Sequence, residues 1–213
     1  MTDLRLSRVH APVTTLGPGR RIGIWFQGCS IGCAGCVSHD TWDPSGGVSV
    51  SVAEVVDYFR SKIETLSLTG VTISGGEPFE QPDALLELLA ALRKVSGEND
   101  VDILCYSGLP LKRLRRQYQG HLHLIDALIP EPFVGNRAEK VRWRGSTNQP
   151  MVLLSDLARQ RYSAVQQGND AMQVVVAEQQ VWLVGIPHSD DMERLARLVA
   201  DRGLLLEDVS WVA

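Results

Sequence analysis

The sequence predicts an α/β protein whose sheet forms an open, partial (β/α)6 barrel, in one domain that covers residues 1–213. Apolar segments with strand and helix patterns alternate between residues 20 and 129, an order typical of parallel sheets with right-handed crossovers. Only some of the predicted strands are followed by a helix, which favours an open barrel over a closed one. A length of 213 residues also suits one sizeable domain.

The first predicted strand covers residues 20–28 and follows the turn-forming sequence GPG at 17–19. Ser51 and Glu54 have the spacing of a capping box, which predicts a helix that continues to about Leu66. Short apolar runs predict further strands at 70–76, 101–108 and 122–129. Amphipathic patterns predict helices at 82–95 and 109–118.

The pattern becomes less regular from about residue 131. A polar, loop-like stretch extends to residue 149. Residues 171–187 predict a β-hairpin, residues 190–202 a helix, and residues 207–212 a closing strand. The last part of the chain therefore adds strands to the sheet without a regular helix after each of them.

The composition excludes several classes of protein. A net charge of −4 lacks the basic excess typical of nucleic-acid binding. No run of 18 apolar residues is present, so we expect no membrane span. The first residues lack the apolar core of a secretory signal, and we therefore expect a cytoplasmic protein. In a reducing compartment, clustered cysteines more often bind metal or perform redox chemistry than form disulfides.

Three of the four cysteines, Cys29, Cys33 and Cys36, lie close together in the sequence QGCSIGCAGC. With His39 they form a Cys3His set suited to structural zinc. Without a fourth protein ligand they suit an iron–sulfur cluster in which one iron keeps an open position. The remaining alternative is that they are unligated core or redox thiols. The fourth cysteine, Cys105, lies in the middle of a predicted strand, where we expect a small buried apolar residue.

A second motif, SGGEP at 74–78, follows one predicted strand and precedes a helix. Gly75 and Gly76 allow the backbone to come close to a ligand, and Glu77 carries a charge suited to an ammonium group. An ordinary strand-to-helix turn, with Pro78 entering the helix, also explains the motif. Loops at the carboxyl ends of parallel strands share one edge of the sheet, so we expect this motif to lie beside the cysteines.

The combination of CxxxCxxC after one strand and GGEP after the next resembles the radical S-adenosylmethionine (radical SAM) superfamily. Within it, the chain resembles the activating proteins of anaerobic ribonucleoside-triphosphate reductases, which contain a 4Fe-4S single cluster domain. The segments that carry this resemblance are GPGRRIGIWFQGCSIGCAGC, TISGGEPF, YSG at 106–108, DALIPEPF, WRGSTNQ at 143–149 and GIP at 185–187. Apart from the last, they lie between residues 16 and 149.

The resemblance implies that Cys29, Cys33 and Cys36 each bind one iron of a 4Fe-4S cluster, and that SAM chelates the fourth iron. It further implies that Gly75, Gly76 and Glu77 hold the amino group of SAM, and that the backbone from Gly35 to Val37 approaches the adenine. The residues that it assigns to SAM are Gly35, Val37, Ser74, Gly75, Gly76, Glu77, Pro78 and Ser107. No side chain is expected to act catalytically beyond the cluster and SAM.

The activity implied by the resemblance is reductive cleavage of SAM to a 5′-deoxyadenosyl radical. In activating enzymes this radical removes hydrogen from a glycine of a large partner, here an anaerobic ribonucleotide reductase, with a flavodoxin or ferredoxin as electron donor. A stand-alone enzyme that modifies a peptide or small metabolite, and a zinc-binding interaction module that uses His39, are the alternatives. Contacts of Pro130–Phe133 and Arg142–Arg144 with SAM or substrate are left open.

Overall fold

The computed structural model describes residues 2–97, 100–139, 141–163, 172–177, 180–187 and 190–203. The strands of its main sheet are β1 (Asp3–Val13), β2 (Arg21–Phe26), β3 (Val48–Ser51), β4 (Gly70–Gly75), β5 (Asp102–Tyr106), β6 (Ala127–Ile129) and β7 (Val152–Leu153). A separate hairpin contains β8 (Gln173–Ala177) and β9 (Gln180–Val184). The helices are α1 (Val52–Ile63), α2 (Pro82–Ser96), α3 (Leu111–Gln117), α4 (Gln119–Leu122), α5 (Asp156–Ser163) and α6 (Asp191–Ala200).

The main sheet has the strand order β3-β1-β2-β4-β5-β6-β7. Strands β2, β4, β5 and β6 are parallel, and antiparallel strands flank them on both sides. The α/β class and the open form of the sheet are confirmed. Among the described residues, four strands of the sheet are parallel. The predicted hairpin does not extend this sheet, because its two strands pair with each other.

Helices α1 and α2 cover one face of the sheet. Side chains alternate along a strand, so Ile22, Ile24 and Phe26 of β2 all enter the core beneath these helices. Helix α1 begins at the predicted capping box. Ser51 Oγ accepts a hydrogen bond from Glu54 N at 3.2 Å, and Glu54 Oε2 accepts one from Ser51 N at 2.8 Å. The predicted start of this helix is therefore confirmed.

The opposite face of the sheet is covered by the hairpin and by α5. Trp25 of β2 packs with Val184 of β9, and Thr15 Oγ1 donates to Val184 O at 2.8 Å. Leu104 of β5 packs with Tyr162 of α5. The alternate residues of the strands, whose side chains point away from α1 and α2, thus form a separate set of contacts. They lie on the side that a closed barrel would enclose.

A buried ionic network lies at the amino ends of the parallel strands. Arg21 and Asp102 form a salt bridge of 2.8 Å in which both side chains are inaccessible to solvent. Tyr162 Oη donates to Asp102 Oδ2 at 2.6 Å, and Arg161 donates to Asp102 Oδ1 at 2.8 Å. Arg21 Nε also donates to Thr72 Oγ1 at 2.6 Å. The network joins β2, β4 and β5 to α5.

Residues 122–126 do not belong to a strand, so the predicted strand at 122–129 is wrong in its first part. A tertiary contact explains the difference. The ring of His121 lies 5.6 Å from that of Phe79 and 5.3 Å from that of Tyr118, measured between centroids. This aromatic cluster holds α4 against α2 and leaves only the last three residues for β6.

The other predicted strands and helices are found close to their expected positions, including the hairpin and α6. Strands β1, β3 and β7 and helices α4 and α5 were not predicted. In β1 the alternation of the buried Leu4 and Leu6 with polar residues was an available signal. The predicted strand at 207–212 lies outside the described residues. None of the helices in the described ranges is long and apolar enough to cross a membrane.

Candidate functional site

Four loops meet at the carboxyl edge of the parallel strands. They are the cysteine loop (residues 28–37) after β2, the glycine turn (residues 74–78) at the end of β4, the turn at Ser107 after β5, and the PEPF segment (residues 130–133) after β6. They share one edge because the four strands are parallel and adjacent. The parallel topology therefore brings together the motifs that the sequence singled out.

Main-chain hydrogen bonds join the cysteine loop directly to the glycine turn. Gly76 N donates to Phe26 O, and Glu77 N donates to Gly28 O, both at 2.8 Å. Gly75 has φ +99°, a conformation that favours glycine. A Cβ at Gly76 would lie 2.2 Å from Gly28 O, so only glycine fits there. The two glycines are thus required for this close approach of two backbones.

The carboxylate of Glu77 is 1% exposed and joins the glycine turn to the turn after β5. It accepts hydrogen bonds from Phe79 N at 3.0 Å, Ser107 Oγ at 2.9 Å and Gly108 N at 2.7 Å. Burial raises the pKa of Glu77 to about 7, against the opposing effect of these donors. Pro78 is buried and begins a short 3-10 helix, as in the strand-to-helix alternative. Since a carboxylate offers about four acceptor positions, most of the capacity of Glu77 is used inside the protein.

The three cysteines of the loop are free thiols, each partly buried. Burial raises the pKa of the Cys29 and Cys33 thiols. Backbone N–H groups nearby act in the opposite direction: those of Ile31 and Gly32 lower the pKa of the Cys29 thiol, and that of Phe133 lowers the pKa of the Cys33 thiol. Such donors favour the thiolate, the form that binds metal.

The donor set fits a multi-iron cluster better than one metal ion. In the described part of the chain, no group of three His, Cys, Asp or Glu side chains is arranged to hold a single ion. Zinc requires that convergence, and the His39 ring instead lies 4.5 Å from the Trp42 ring. In a 4Fe-4S cluster each thiolate binds a different iron, so the three sulfurs need not converge on one point. Ser38 N also donates to Cys36 Sγ at 3.5 Å.

The family model described as 4Fe-4S single cluster domain matches residues 15–152. The chain belongs to the 4Fe-4S single cluster domain family. The matched range contains all four loops at the carboxyl edge, whereas the hairpin and α6 follow it.

Proteins similar to this 4Fe-4S single cluster domain protein include activating enzymes. The anaerobic ribonucleoside-triphosphate reductase-activating protein of Haemophilus influenzae is 32% identical over 138 residues, 62% of this chain and 87% of that protein. The pyruvate formate-lyase-activating enzyme of Listeria monocytogenes is 28% identical over 211 residues, 93% of this chain and 76% of that protein. The resemblance to radical SAM activating enzymes is confirmed, and the protein is a radical SAM enzyme that uses a 4Fe-4S cluster and SAM.

In this 4Fe-4S single cluster domain protein, a cavity lies beside the cysteine loop, between the sheet and the hairpin. Val37 and Ser74, both assigned to SAM from the sequence, line it together with Ile186 of the GIP segment. Gly35 has a different neighbour. The ring of Phe133 lies over it, with Cε1 3.4 Å from the position that a Cβ on Gly35 would occupy.

One wall of the cavity comes from β1 and β9, which the sequence analysis did not connect with the site. The guanidinium of Arg8 lies 5.5 Å from the centroid of the Trp182 ring, and both residues line the cavity. Arg8 also forms an ion pair with Asp40, just after the cysteine loop. These residues are far apart in the chain, and no local motif indicates that they meet.

Glu80 and Gln81 are two further residues that the sequence analysis missed. Glu80 Oε1 accepts hydrogen bonds from Ser30 N at 2.9 Å and from Ser30 Oγ at 2.6 Å, next to the first cysteine. Gln81 Nε2 donates to Gln27 O at 3.0 Å, at the start of the same loop. Their position directly after SGGEP was the only available signal.

The Arg142–Trp143–Arg144 segment forms packed structure near β5. Trp143 is buried, and its ring lies 5.4 Å from that of Tyr162 and 4.5 Å from the Arg142 guanidinium. Tyr106 Oη donates to Trp143 O at 2.8 Å. The described contacts of these residues are therefore those of a structural segment.

Proposed function

We propose that this radical SAM enzyme is a cytoplasmic activase that installs a glycyl radical on a large partner, an anaerobic ribonucleotide reductase. The observation that carries the proposal is the direct contact of the cysteine loop with the glycine turn, in a chain similar to reductase-activating proteins over 138 residues. A pyruvate formate-lyase-type partner is the second candidate, because the activating enzyme of Listeria monocytogenes aligns with 93% of the chain. A flavodoxin or ferredoxin supplies the electron.

In this proposal Cys29, Cys33 and Cys36 bind the cluster. When bound, the cluster and SAM supply one-electron chemistry that yields a 5′-deoxyadenosyl radical. Backbone N–H groups near the sulfurs of Cys29 and Cys33 favour the thiolate form of these two cysteines. The hairpin limits access of water to the cavity from one side, since Ile186 and Trp182 cover it.

The remaining residues divide into two groups. We assign Ser74, Gly75 and Gly76 to the amino-acid part of SAM, because their backbone borders the cysteine loop. We assign Gly35 and Val37 to the adenine side. Glu77, Pro78 and Ser107 maintain the shape of the glycine turn, through hydrogen bonds between Glu77 and Ser107 and through the short 3-10 helix that Pro78 begins.

The first experiment is anaerobic purification, reconstitution with iron and sulfide, and an assay for 5′-deoxyadenosine from SAM. We expect about four irons per chain and SAM cleavage, with both reduced in Cys33→Ala. Cys105→Ala is the matched control, because Cys105 is fully buried in the core on the helix side of the sheet. Stoichiometric zinc without SAM cleavage would support the zinc module and contradict the proposal.

The second experiment addresses the partner. Reduced enzyme and SAM are incubated with either an anaerobic ribonucleotide reductase or a pyruvate formate-lyase, and the glycyl radical is measured by electron paramagnetic resonance. A radical only on the reductase supports the first candidate, and one only on the lyase supports the second. SAM cleavage without a radical on either protein would favour a stand-alone enzyme that modifies a peptide or small metabolite.

A further inference from the structure

Phe133 of the PEPF segment makes one polar and one apolar contact with the cysteine loop. Its backbone N–H lies near the Cys33 thiol and acts to lower the pKa of that thiol. Its ring lies over Gly35, at the 3.4 Å noted above, and against Gly145, where an added Cβ would lie 2.9 Å from Cδ2. The ring therefore fills the space between the cysteine loop and the WRGSTNQ segment, and both contacts depend on where the PEPF segment is held.

The backbone of the PEPF segment is in an unfavourable conformation that needs support. Glu131 has a φ of +80°, a backbone angle that residues other than glycine rarely adopt. Glu131 N donates to Leu109 O at 3.1 Å, and Glu131 Oε1 accepts from Leu111 N at 2.9 Å. Such conformations persist only where surrounding contacts determine them. The contacts at Leu109 and Leu111 hold the first half of the segment.

The second source of support is a pair of amide side chains from the WRGSTNQ segment. Asn148 Nδ2 donates to Pro132 O at 2.8 Å, and Gln149 Nε2 donates to Glu131 O at 3.0 Å. These bonds attach to the two carbonyl groups that immediately precede Phe133. They therefore fix the part of the backbone that carries the Phe133 N–H and ring.

Gln149 is itself held in position by its own loop. Its Oε1 accepts hydrogen bonds from Gly145 N at 3.1 Å and Ser146 N at 3.2 Å. The side chain is thus oriented by its acceptor end, and its donor end is directed at the PEPF segment. Gln149 therefore uses its Oε1 for the hydrogen bonds within its own loop and its Nε2 for the hydrogen bond to Glu131. A substitution can remove the hydrogen bond to Glu131 alone.

We propose that Asn148 and Gln149 are positioning residues for the iron–sulfur site: they hold the PEPF segment so that the Phe133 ring lies over the cysteine loop at Gly35, with the Phe133 N–H beside the Cys33 sulfur. The inference rests on the proposed role of Cys33 as a cluster ligand. Groups that orient metal ligands affect affinity and activity by about 10- to 100-fold. Hydrogen bonds to sulfur and exposure to solvent also set the potential of a cluster.

The first test uses the protein without cluster. Iodoacetamide alkylation of Cys33 relative to Cys29 is followed by mass spectrometry in wild type, Asn148→Ala and Phe133→Ala. We expect a higher ratio in both variants, because the segment beside Cys33 is released or loses its ring. Asn136→Ala is the matched control, since Asn136 is exposed in a neighbouring turn. Equal ratios in Asn148→Ala and Asn136→Ala would overturn the proposal.

The second test uses the reconstituted protein and measures the midpoint potential of the cluster and its rate of loss to a chelator. Gln149→Glu keeps the acceptor for Gly145 and Ser146 but removes the donor to Glu131, and it replaces Asn148→Ala if that variant fails to fold. We expect a shifted potential and a loss rate about tenfold higher. Wild-type values in Gln149→Glu would overturn the proposal. Failure of the wild type to bind a cluster would contradict the proposed function, whereas the alkylation ratios would still decide the role of Asn148.

Discussion

Glu77 lies where the turns after β4 and β5 meet, and its two oxygens hold those turns together. Its pKa of about 7 lies above the ordinary glutamate value because burial disfavours the charged form. A pKa that is raised in the folded state means that folding favours the protonated form. The resulting stability is fully present below the unfolded pKa and is lost as the pH rises through the folded pKa. Glu77 therefore couples the shape of the site to pH.

We predict that Glu77→Gln removes this pH dependence. Between about pH 4.5 and pH 7, the free energy of unfolding of the apo protein should fall by about 3 kcal/mol more in wild type than in the variant. Urea unfolding at several pH values measures the difference. Glu87→Gln, an exposed position on α2, is the control and should follow wild type. Parallel curves for wild type and Glu77→Gln would contradict the prediction.

At the scale of helices and strands, the opposite ends of the sheet have different tasks. The carboxyl ends present the loops of the site, whereas the amino ends are joined by the buried network around Arg21 and Asp102. The network connects β2 and β5 with α5, which follows the last residue of the family match. Removing one partner of a buried ion pair costs more stability than replacing both partners by apolar residues, because the remaining charge is left buried without a partner.

We predict that Asp102→Ala lowers the free energy of unfolding by about 3–5 kcal/mol, because Arg21 keeps its charge without an acidic partner. Urea unfolding of the apo protein measures this. Asp57→Ala breaks an exposed pair with Arg60 and should cost less than about 1 kcal/mol. Similar losses in the two variants would show that burial does not govern the strength of the pair at Asp102.

The start of α1 permits a prediction made from sequence and structure together. Ser51→Ala removes the side chain that accepts from Glu54 N and should cost about 1 kcal/mol. Ser51→Asp restores an acceptor at the cap and should recover much of that loss. Thermal unfolding of the three proteins compares them. No difference between wild type and Ser51→Ala would mean that packing alone determines where the helix begins.

At the scale of the whole molecule, the cavity beside the cysteine loop is built by segments from both ends of the described chain. Arg8 of β1 and Ile186 after β9 line it with Val37 and Ser74. Thr15 Oγ1 and Gln173 Nε2 donate across the junction of β1 with the hairpin, at 2.8 and 2.9 Å. The hairpin therefore completes a cavity whose other lining residues include ones from β1, β2, β4 and the segment after β2.

We predict that SAM slows hydrogen exchange of the hairpin amides from residue 181 to 186 in the reconstituted protein, because a ligand that contacts the folded hairpin opposes its local opening. Mass spectrometry with and without SAM measures the protection. Amides of α1, on the other face of the sheet, are the internal control and should not change. Unchanged exchange in the hairpin would place SAM away from this cavity.

Much of the site was predictable because it is encoded in short segments. The spacing of Cys29, Cys33 and Cys36, the SGGEP motif and the parallel order of β2 and β4 predict the contact that the structure contains. The direction of the Glu77 carboxylate was not predictable. It depends on Ser107 and Gly108, which reach it only through the pairing of β4 with β5.

The sequence by itself determined the α/β class, the cap of α1 and the CxxxCxxC spacing of the cysteine loop, since each depends on residues near one another in the chain. Tertiary structure alone decided that β1 joins the sheet, that His121 of α4 packs against Phe79, and that Asn148 donates to Pro132 O, next to Phe133. The physical reason is that periodicity and ligand spacing are local properties. The partner of a given hydrogen bond or ring is selected by packing among distant segments.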